Sequence, residues 1–384
     1  MRVRLVKLVL IKTGLAVLAL AGLHSVHAAD FRDSFDRNSS GWMPVGDAQA
    51  SIVSEPGTGN KVLELRPVRR KFSHVVFDGA GRRDAFRMTG RFLFPTEGDG
   101  YFGLLYGIRP ESDRKDFGCV YVKSNGSYIR FSPHYDGNPS WRLYEELRVN
   151  LTGEKKIRVG KWYDFMIEVR DSFVSLYIDD MASPLFSTDL IDIASGLVGL
   201  EARPGRGEPV WVDDIRIHSL NDEAAPPETK SKRAQANRPI AGWRVYGETL
   251  DDDAAADPSR LSASANWSAV RPDKRGAVIT ARYTRLPLTV GGHYLFGASF
   301  DHAGGDSGTV LAISSANHLS VWLNGEHVGE VQPAEYIWSD HVTNPAHKGA
   351  RLAIRPLKGR NELLIVEDAD RFAGGGFFIT LDSA

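Results

Sequence analysis

Period-two alternation is the feature of this chain that most limits its fold. From Phe31 to about Leu220, short runs rich in Val, Ile, Phe and Tyr alternate apolar with polar positions, and clusters of Gly, Asp, Asn and Pro separate them. Clear cases are residues 61–65 (KVLEL), 101–108 (YFGLLYGI), 117–123 (FGCVYVK), 163–170 (YDFMIEVR), 173–179 (FVSLYID) and 210–217 (VWVDDIRI). Successive side chains of a strand point to opposite faces, so such runs bury one face each, the pattern of antiparallel strands in a sandwich or barrel. No window of useful length carries the 3.6-residue period of an amphipathic helix. Asp171-Ser172 and Ser124-Asn125-Gly126 read as tight hairpin turns between neighbouring runs.

Residues 221–239 (NDEAAPPETKSKRAQANRP) break the pattern, with no aromatic or β-branched residue to build a core. Pro226-Pro227 favours an extended linker there. Alternation resumes from about Ile240 to Ala384, most clearly at 319–331 (LSVWLNGEHVGEV), where Asn324-Gly325 predicts a primed two-residue hairpin. The expected fold is all-β: two antiparallel β-sandwich (jelly-roll) domains, 30–220 and 240–384, joined by a linker at 221–239. The Gly374-Gly375-Gly376 run is followed by no helix start and no Lys-Ser/Thr, so it predicts a turn rather than a phosphate loop.

Residues 1–29 begin basic (Arg2, Arg4, Lys7), turn apolar and end on Val26-His27-Ala28, the layout of a secretory signal peptide. Lys12 divides the apolar run, and the apolar stretch beyond it, Thr13 to Leu23, is shorter than the roughly 20 residues of a membrane span. The mature chain is therefore expected to be secreted or periplasmic, with no span. Its one cysteine, Cys119, allows no intramolecular disulfide and sits in an apolar strand pattern, where it reads as a small buried hydrophobe. A net charge of −1 argues against nucleic acid as a partner.

The first domain resembles the concanavalin A-like lectin/glucanase (laminin-G-like) jelly roll. The residues that carry the likeness are Asp33-Ser34-Phe35 with Gly41-Trp42, Gly160-Lys161-Trp162-Tyr163, Leu176-Tyr177-Ile178-Asp179-Asp180, Gly196 to Leu200, and Val212-Asp213-Asp214-Ile215. The second resembles the galactose-binding-like jelly roll, through 321–326 (VWLNGE) and 359–363 (GRNEL). The resemblance implies a glycan as partner. It also implies a structural calcium between the first and last strands, at Asp33 and Asp213, with no other cofactor. It does not extend to the Glu-x-Asp-x-x-Glu strand of the family 16 glycan hydrolases, which this chain lacks.

Residues 116–146 concentrate the side chains a sugar needs. Tyr128 and Arg130 share a face with Ser132, opposite Ile129 and Phe131; His134, Asp136, Asn138 and Trp141 come next in a loop; Arg142, Tyr144 and Glu146 alternate after it. Aromatic faces cover the C–H face of a pyranose, and Arg, Asp, Asn and His exchange hydrogen bonds with its hydroxyls. Glycoside cleavage would need two carboxyl groups about 5–10 Å apart, for which Asp136 and Glu146 are the better pair, with Asp116 and Glu201 as spares. His74, His134, His293, His318, His327 and His341 lack metal-ligand spacing and read as surface or core residues. Three functions are compatible with these residues: a secreted carbohydrate-recognition protein, a glycoside hydrolase of the same fold, and a structural envelope or matrix protein. The first is preferred.

Overall fold

The computed structural model of the chain describes residues 30–36, 41–67, 73–112, 115–140, 144, 147–170, 173–189, 193, 195–203, 208–220, 238–261, 266–274, 276–283, 292–304, 308–333, 350–368 and 375–382. The expected signal segment, most of the expected linker, and Trp141, Arg142, Glu146 and His341 lie outside them. The fold is all-β: antiparallel sheets make jelly-roll sandwiches. Among the described residues no helix is long and apolar enough to cross a membrane.

In the first sandwich an eight-stranded sheet packs on a seven-stranded one. From edge to edge the seven-stranded sheet runs Val149–Asn150, Tyr128–Phe131, Gly118–Lys123, Tyr101–Ile108, Leu197–Arg203, Ser73–Val76 and Met43–Gly46. Alternation assigns its two faces. Val75, Phe102, Leu104, Val120, Val122, Ile129, Phe131 and Leu200 enter the shared core with Phe86, Phe92, Phe165, Ile167 and Val212 of the other sheet. Each such side chain contributes about 1.5–3 kcal/mol by leaving water. The intervening positions, among them Val76, Leu105, Cys119 and Tyr121, occupy the opposite face as a separate buried cluster. Cys119 is there as a small apolar group, and burial pushes its thiol well above the ordinary range.

Arg170 pairs with Phe173, and the turn expected at Asp171-Ser172 lies outside the described residues. In the second sandwich a four-stranded sheet packs on a six-stranded one around Phe296, Leu311, Leu319, Ile365 and Phe377. The Asn324-Gly325 hairpin has positive φ at both residues, 52° and 82°, as a primed turn requires, and pairs Leu323 with Glu326. Two details depart from expectation. Arg238–Pro239, expected at the end of the linker, is a strand beside Thr380 and Leu381. A short helix, Asp252–Ala256, starts where the Asp251 carboxylate accepts from the Ala254 N–H at 2.8 Å; five residues are too few to show a helical period.

Candidate functional site

Strand register sets one row of side chains across the outer face of the seven-stranded sheet. His74 lies opposite Glu201, Glu201 opposite Gly103, Gly103 opposite Tyr121, and Tyr121 opposite Arg130. Directly opposed residues project from the same face, so four polar side chains and a gap form one line over five strands. A Cβ at Gly103 would meet the Tyr121 ring at 2.7 Å, and its absence lets that ring lie across the strand. The Tyr121 hydroxyl thereby donates to Glu201 Oε2 at 2.6 Å.

One step along the strands, Arg203 lies opposite Tyr101 and Tyr101 opposite Lys123. Arg203 donates to Glu201 Oε1 at 3.3 Å, and its guanidinium lies 4.8 Å from the centre of the Tyr121 ring. It also donates to His134 Nε2 at 2.5 Å. His134 Nδ1 lies 2.9 Å from the Ser132 carbonyl, which can only accept, so Nδ1 carries the proton and Nε2 offers its lone pair to Arg203. Burial and the adjacent Arg203 charge hold His134 well below the ordinary imidazole range, in agreement with this neutral tautomer. Phe117 stacks on it at 4.4 Å.

His74 ends the row and differs in kind. It is 8% exposed, and neither ring nitrogen has a hydrogen-bond partner. Burial lowers its pKa against the opposing pull of Glu201. A buried imidazole with both nitrogens unused costs about 1–3 kcal/mol per group in lost hydration, unless a ligand supplies the partner.

At the other end Tyr128 lies under two guanidiniums, Arg130 at 5.0 Å and Arg148 at 4.0 Å from the ring centre. Its hydroxyl meets the Tyr101 hydroxyl at 2.6 Å, and Lys123 sits 4.2 Å over the Tyr101 ring while pairing with Asp99 at 2.5 Å. Tyr101, Arg148 and Arg203 are the half-buried members, and they form the accessible rim. Glu201, 1% exposed, is the only carboxylate on the seven strands.

Of the residues singled out from the sequence, Tyr128, Arg130 and His134 share this face. Asp136 sits at the tip of a two-residue hairpin between Tyr135 and Asn138, with φ 50°, and its N–H donates to Asp116 Oδ1 at 2.7 Å. Asn138 is placed by its backbone alone, opposite Tyr135. Tyr144 turns the other way: it is fully buried in the sandwich core, edge-on to Phe131 at 5.0 Å, and adds nothing to the face. Sequence reading passed over His74, Arg203 and Tyr101 and ranked Glu201 as a spare. The signal that could have found them is parity: each is next in sequence to a residue that enters the shared core.

Asp33 and Asp213 do not fit the oxygen cage of a calcium. Asp33 Oδ1 accepts from the Phe35 N–H at 2.8 Å. Asp213 accepts from Arg91 at 2.5 Å, from Asn60 at 2.9 Å and from the Asp214 N–H at 2.8 Å, so a guanidinium already neutralises it.

A second group of polar residues lines a cleft of about 520 Å³ in the second sandwich, walled by Trp322. The imidazoles expected to be scattered converge here through two acids. Asp368 bonds His293 and His318, each at 2.6 Å, and Glu330 bonds His318 at 3.0 Å and His327 at 2.7 Å. The hydrogen-bonding groups satisfy one another.

No family model and no curated protein sequence matches the chain. Among solved structures it is similar to the carbohydrate binding module CBM66 from Bacillus subtilis, at 14% identity over 47% of this chain and 98% of that one, with a TM-score of 0.35. It is similar to a Bacillus licheniformis beta-glucanase at 9% identity, over 50% of this chain and 98% of that one, with a TM-score of 0.36. A Bacillus subtilis protein of unknown function with a galectin-like fold gives 13% identity, 50% and 97% coverage and a TM-score of 0.35. The reading of the site rests on its own geometry.

Proposed function

We propose that the outer face of the seven-stranded sheet binds a carbohydrate, in a protein exported from the cell. The observation that carries this reading is the His74–Glu201–Gly103–Tyr121–Arg130 row. It places an acceptor and a phenol, joined by a hydrogen bond and braced by the Arg203 guanidinium one step along the strands, next to a buried imidazole with two unused nitrogens. Vicinal hydroxyls, which donate and accept in pairs, complement such a row. Preorganisation matters here. Side chains locked before the ligand arrives lose little rotamer entropy when it binds.

Binding is favoured over cleavage. Hydrolysis through two carboxyl groups needs a partner for Glu201, and the seven strands offer none; a loop such as that of Asp136 would have to supply it. The test is titration of the signal-less protein against a panel of soluble polysaccharides, with the same mixtures checked for shortened products. We expect binding without products, and Arg203→Met and Glu201→Gln each to weaken it about tenfold or more while circular dichroism stays unchanged. Unaltered affinity in both folded variants would sink the assignment. Products that vanish in Glu201→Gln would instead make Glu201 a catalytic acid.

A further inference from the structure

A strand at the border of a sheet leaves half its backbone N–H and C=O groups unpaired, and folded proteins blunt such borders by shortness, proline, charge or a bulge. The borders of the four large sheets are blunted in these ways, with one exception. Among the described residues, Phe31–Asp33, Phe186–Thr188, Val149–Asn150, Arg238–Pro239 and Trp267–Ala269 have only two or three residues each. Met43–Gly46 contains Pro44, Ala350–Ala353 contains Arg351, and Glu326–Val331 carries Glu326 and Glu330 beside a register shift. Gln49–Ser54 has none of these devices. It closes the eight-stranded sheet, pairs all six of its residues with Lys61–Arg66 without a shift, and holds no charge, proline or glycine.

The strand is half-finished on its free side. Ala50 and Ile52 lie opposite Leu65 and Leu63 and pack on the shared core, yet they stay half-buried at its open rim, while Gln49, Ser51 and Ser54 are exposed. Met43–Gly46, which borders the other sheet, is joined to it by Asp47 and Ala48 alone, so both layers end on this side, with Met43 37% exposed. We infer that Gln49–Ser54 is a dimer interface, at which two copies of the chain pair antiparallel and join their eight-stranded sheets into one. Antiparallel pairing sets the two-fold axis perpendicular to the sheet, so each residue meets one of its own parity. Ala50 and Ile52 then continue one core into the other, Ser51 meets Ser51 or Val53 of the second copy, and no like charges meet at the axis. An extended peptide would cover one layer, whereas a second copy covers both, and a pairing that uses the same strand twice closes on itself. Six residues at about 3.4 Å each make an edge of about 20 Å, at the small end of specific interfaces, so dissociation in the micromolar range is expected. Dimerisation does not depend on the carbohydrate reading. It does leave the outer faces of both seven-stranded sheets on one side, where the two rows that end at His74 would engage one long glycan together.

Sedimentation velocity of the signal-less protein over a series of concentrations reads the pairing, and hydrogen exchange locates it. We expect a reversible monomer–dimer equilibrium, with the amides of residues 49–54 exchanging more slowly in the concentrated sample than in the dilute one. The double variant Ser51→Lys, Val53→Lys puts lysine opposite lysine in either register. Both side chains lie on the outer face of the sheet, where Ser51 is opposite Glu64 and Val53 opposite Val62, so the core is untouched. The variant should weaken the dimer about tenfold or more while the melting temperature of the dilute protein is unchanged. A wild-type chain that stays monomeric up to its solubility limit overturns the inference. A dimer that the folded double variant leaves intact uses another surface and overturns it too, as does open-ended assembly in place of a closed pair. Should the double variant not fold, the exchange comparison decides alone: equal rates at residues 49–54 in both samples overturn the pairing.

Discussion

Glu367 is a fully buried carboxyl in the second sandwich, held by Thr280, by the Asn317 amide at 2.9 Å and by the Gly376 N–H at 2.5 Å. Burial raises its pKa from 4.5 to about 7 in spite of these donors. The folded protein therefore holds this proton more tightly than the unfolded chain does. Stability from this group is complete below about 4.5 and falls as pH rises through 7, by an amount on the order of 3 kcal/mol. His293, raised by Asp368 and Asp252 against the opposing effect of burial, loses stability in the same direction. The comparison of wild type with Glu367→Gln isolates the carboxyl. The amide variant should show the smaller fall in melting temperature between about pH 5 and 8, and parallel curves would show that Glu367 does not titrate there. The role of Gly375 comes from the same residue, while Gly374 of the expected turn lies outside the described residues. A Cβ at Gly375 would meet Glu367 Oε1 and the Thr280 side chain at 3.0 Å, so this glycine gives the chain a close approach to a buried acid. The sequence shows the turn; the acid it wraps around lies outside any local pattern.

At the scale of strands the pairing of Gly103 with Tyr121 yields a sharper test. Gly103→Ala places a methyl where the Tyr121 ring lies, 2.7 Å from its Cε1 atom. The ring must lift, and the hydroxyl loses Glu201. We expect a stability loss of about 1–3 kcal/mol from overpacking and, in the protein that remains folded, a saccharide affinity reduced as far as in Tyr121→Phe. A folded Gly103→Ala protein with full affinity would separate the row from binding. The strands themselves were legible: the runs at 101–108 and 163–170 match the elements Tyr101–Ile108 and Tyr163–Arg170, because alternation is a local signal. So were the faces of Tyr128 and Arg130. The row was not, since His74 and Arg130 are brought together by register across five strands, and register is decided by which faces find a common core. For the same reason His293, His318 and His327 looked scattered, though Asp368 and Glu330 link them.

At the scale of the molecule, the sandwiches are in contact. Ile279, Ala281 and Ala316 of the second belong to the buried cluster of the first, and Arg282 donates to the Tyr135 hydroxyl at 3.3 Å with its guanidinium 5.0 Å from the ring. Tyr135 is in the hairpin that carries Asp136 and pairs with Asn138, so the contact braces the loop that borders the candidate site. Nothing in the sequence announces this pair, which lies 147 residues apart and spans a segment that reads as a plain linker. Its consequence is thermodynamic coupling. A guanidinium over a ring in a half-desolvated setting contributes about 1–2 kcal/mol and its hydrogen bond roughly another 1 kcal/mol. These are contributions that exist only while both sandwiches are folded. Calorimetry of the wild-type chain should therefore show one endotherm or two strongly overlapping ones, and Arg282→Ala should separate them by lowering the less stable sandwich while the other keeps its midpoint. If the endotherm of Arg282→Ala is unchanged, the contact carries no coupling and the sandwiches unfold as independent units. If the split appears together with weaker saccharide binding, the second sandwich acts on the site through Tyr135 and its hairpin.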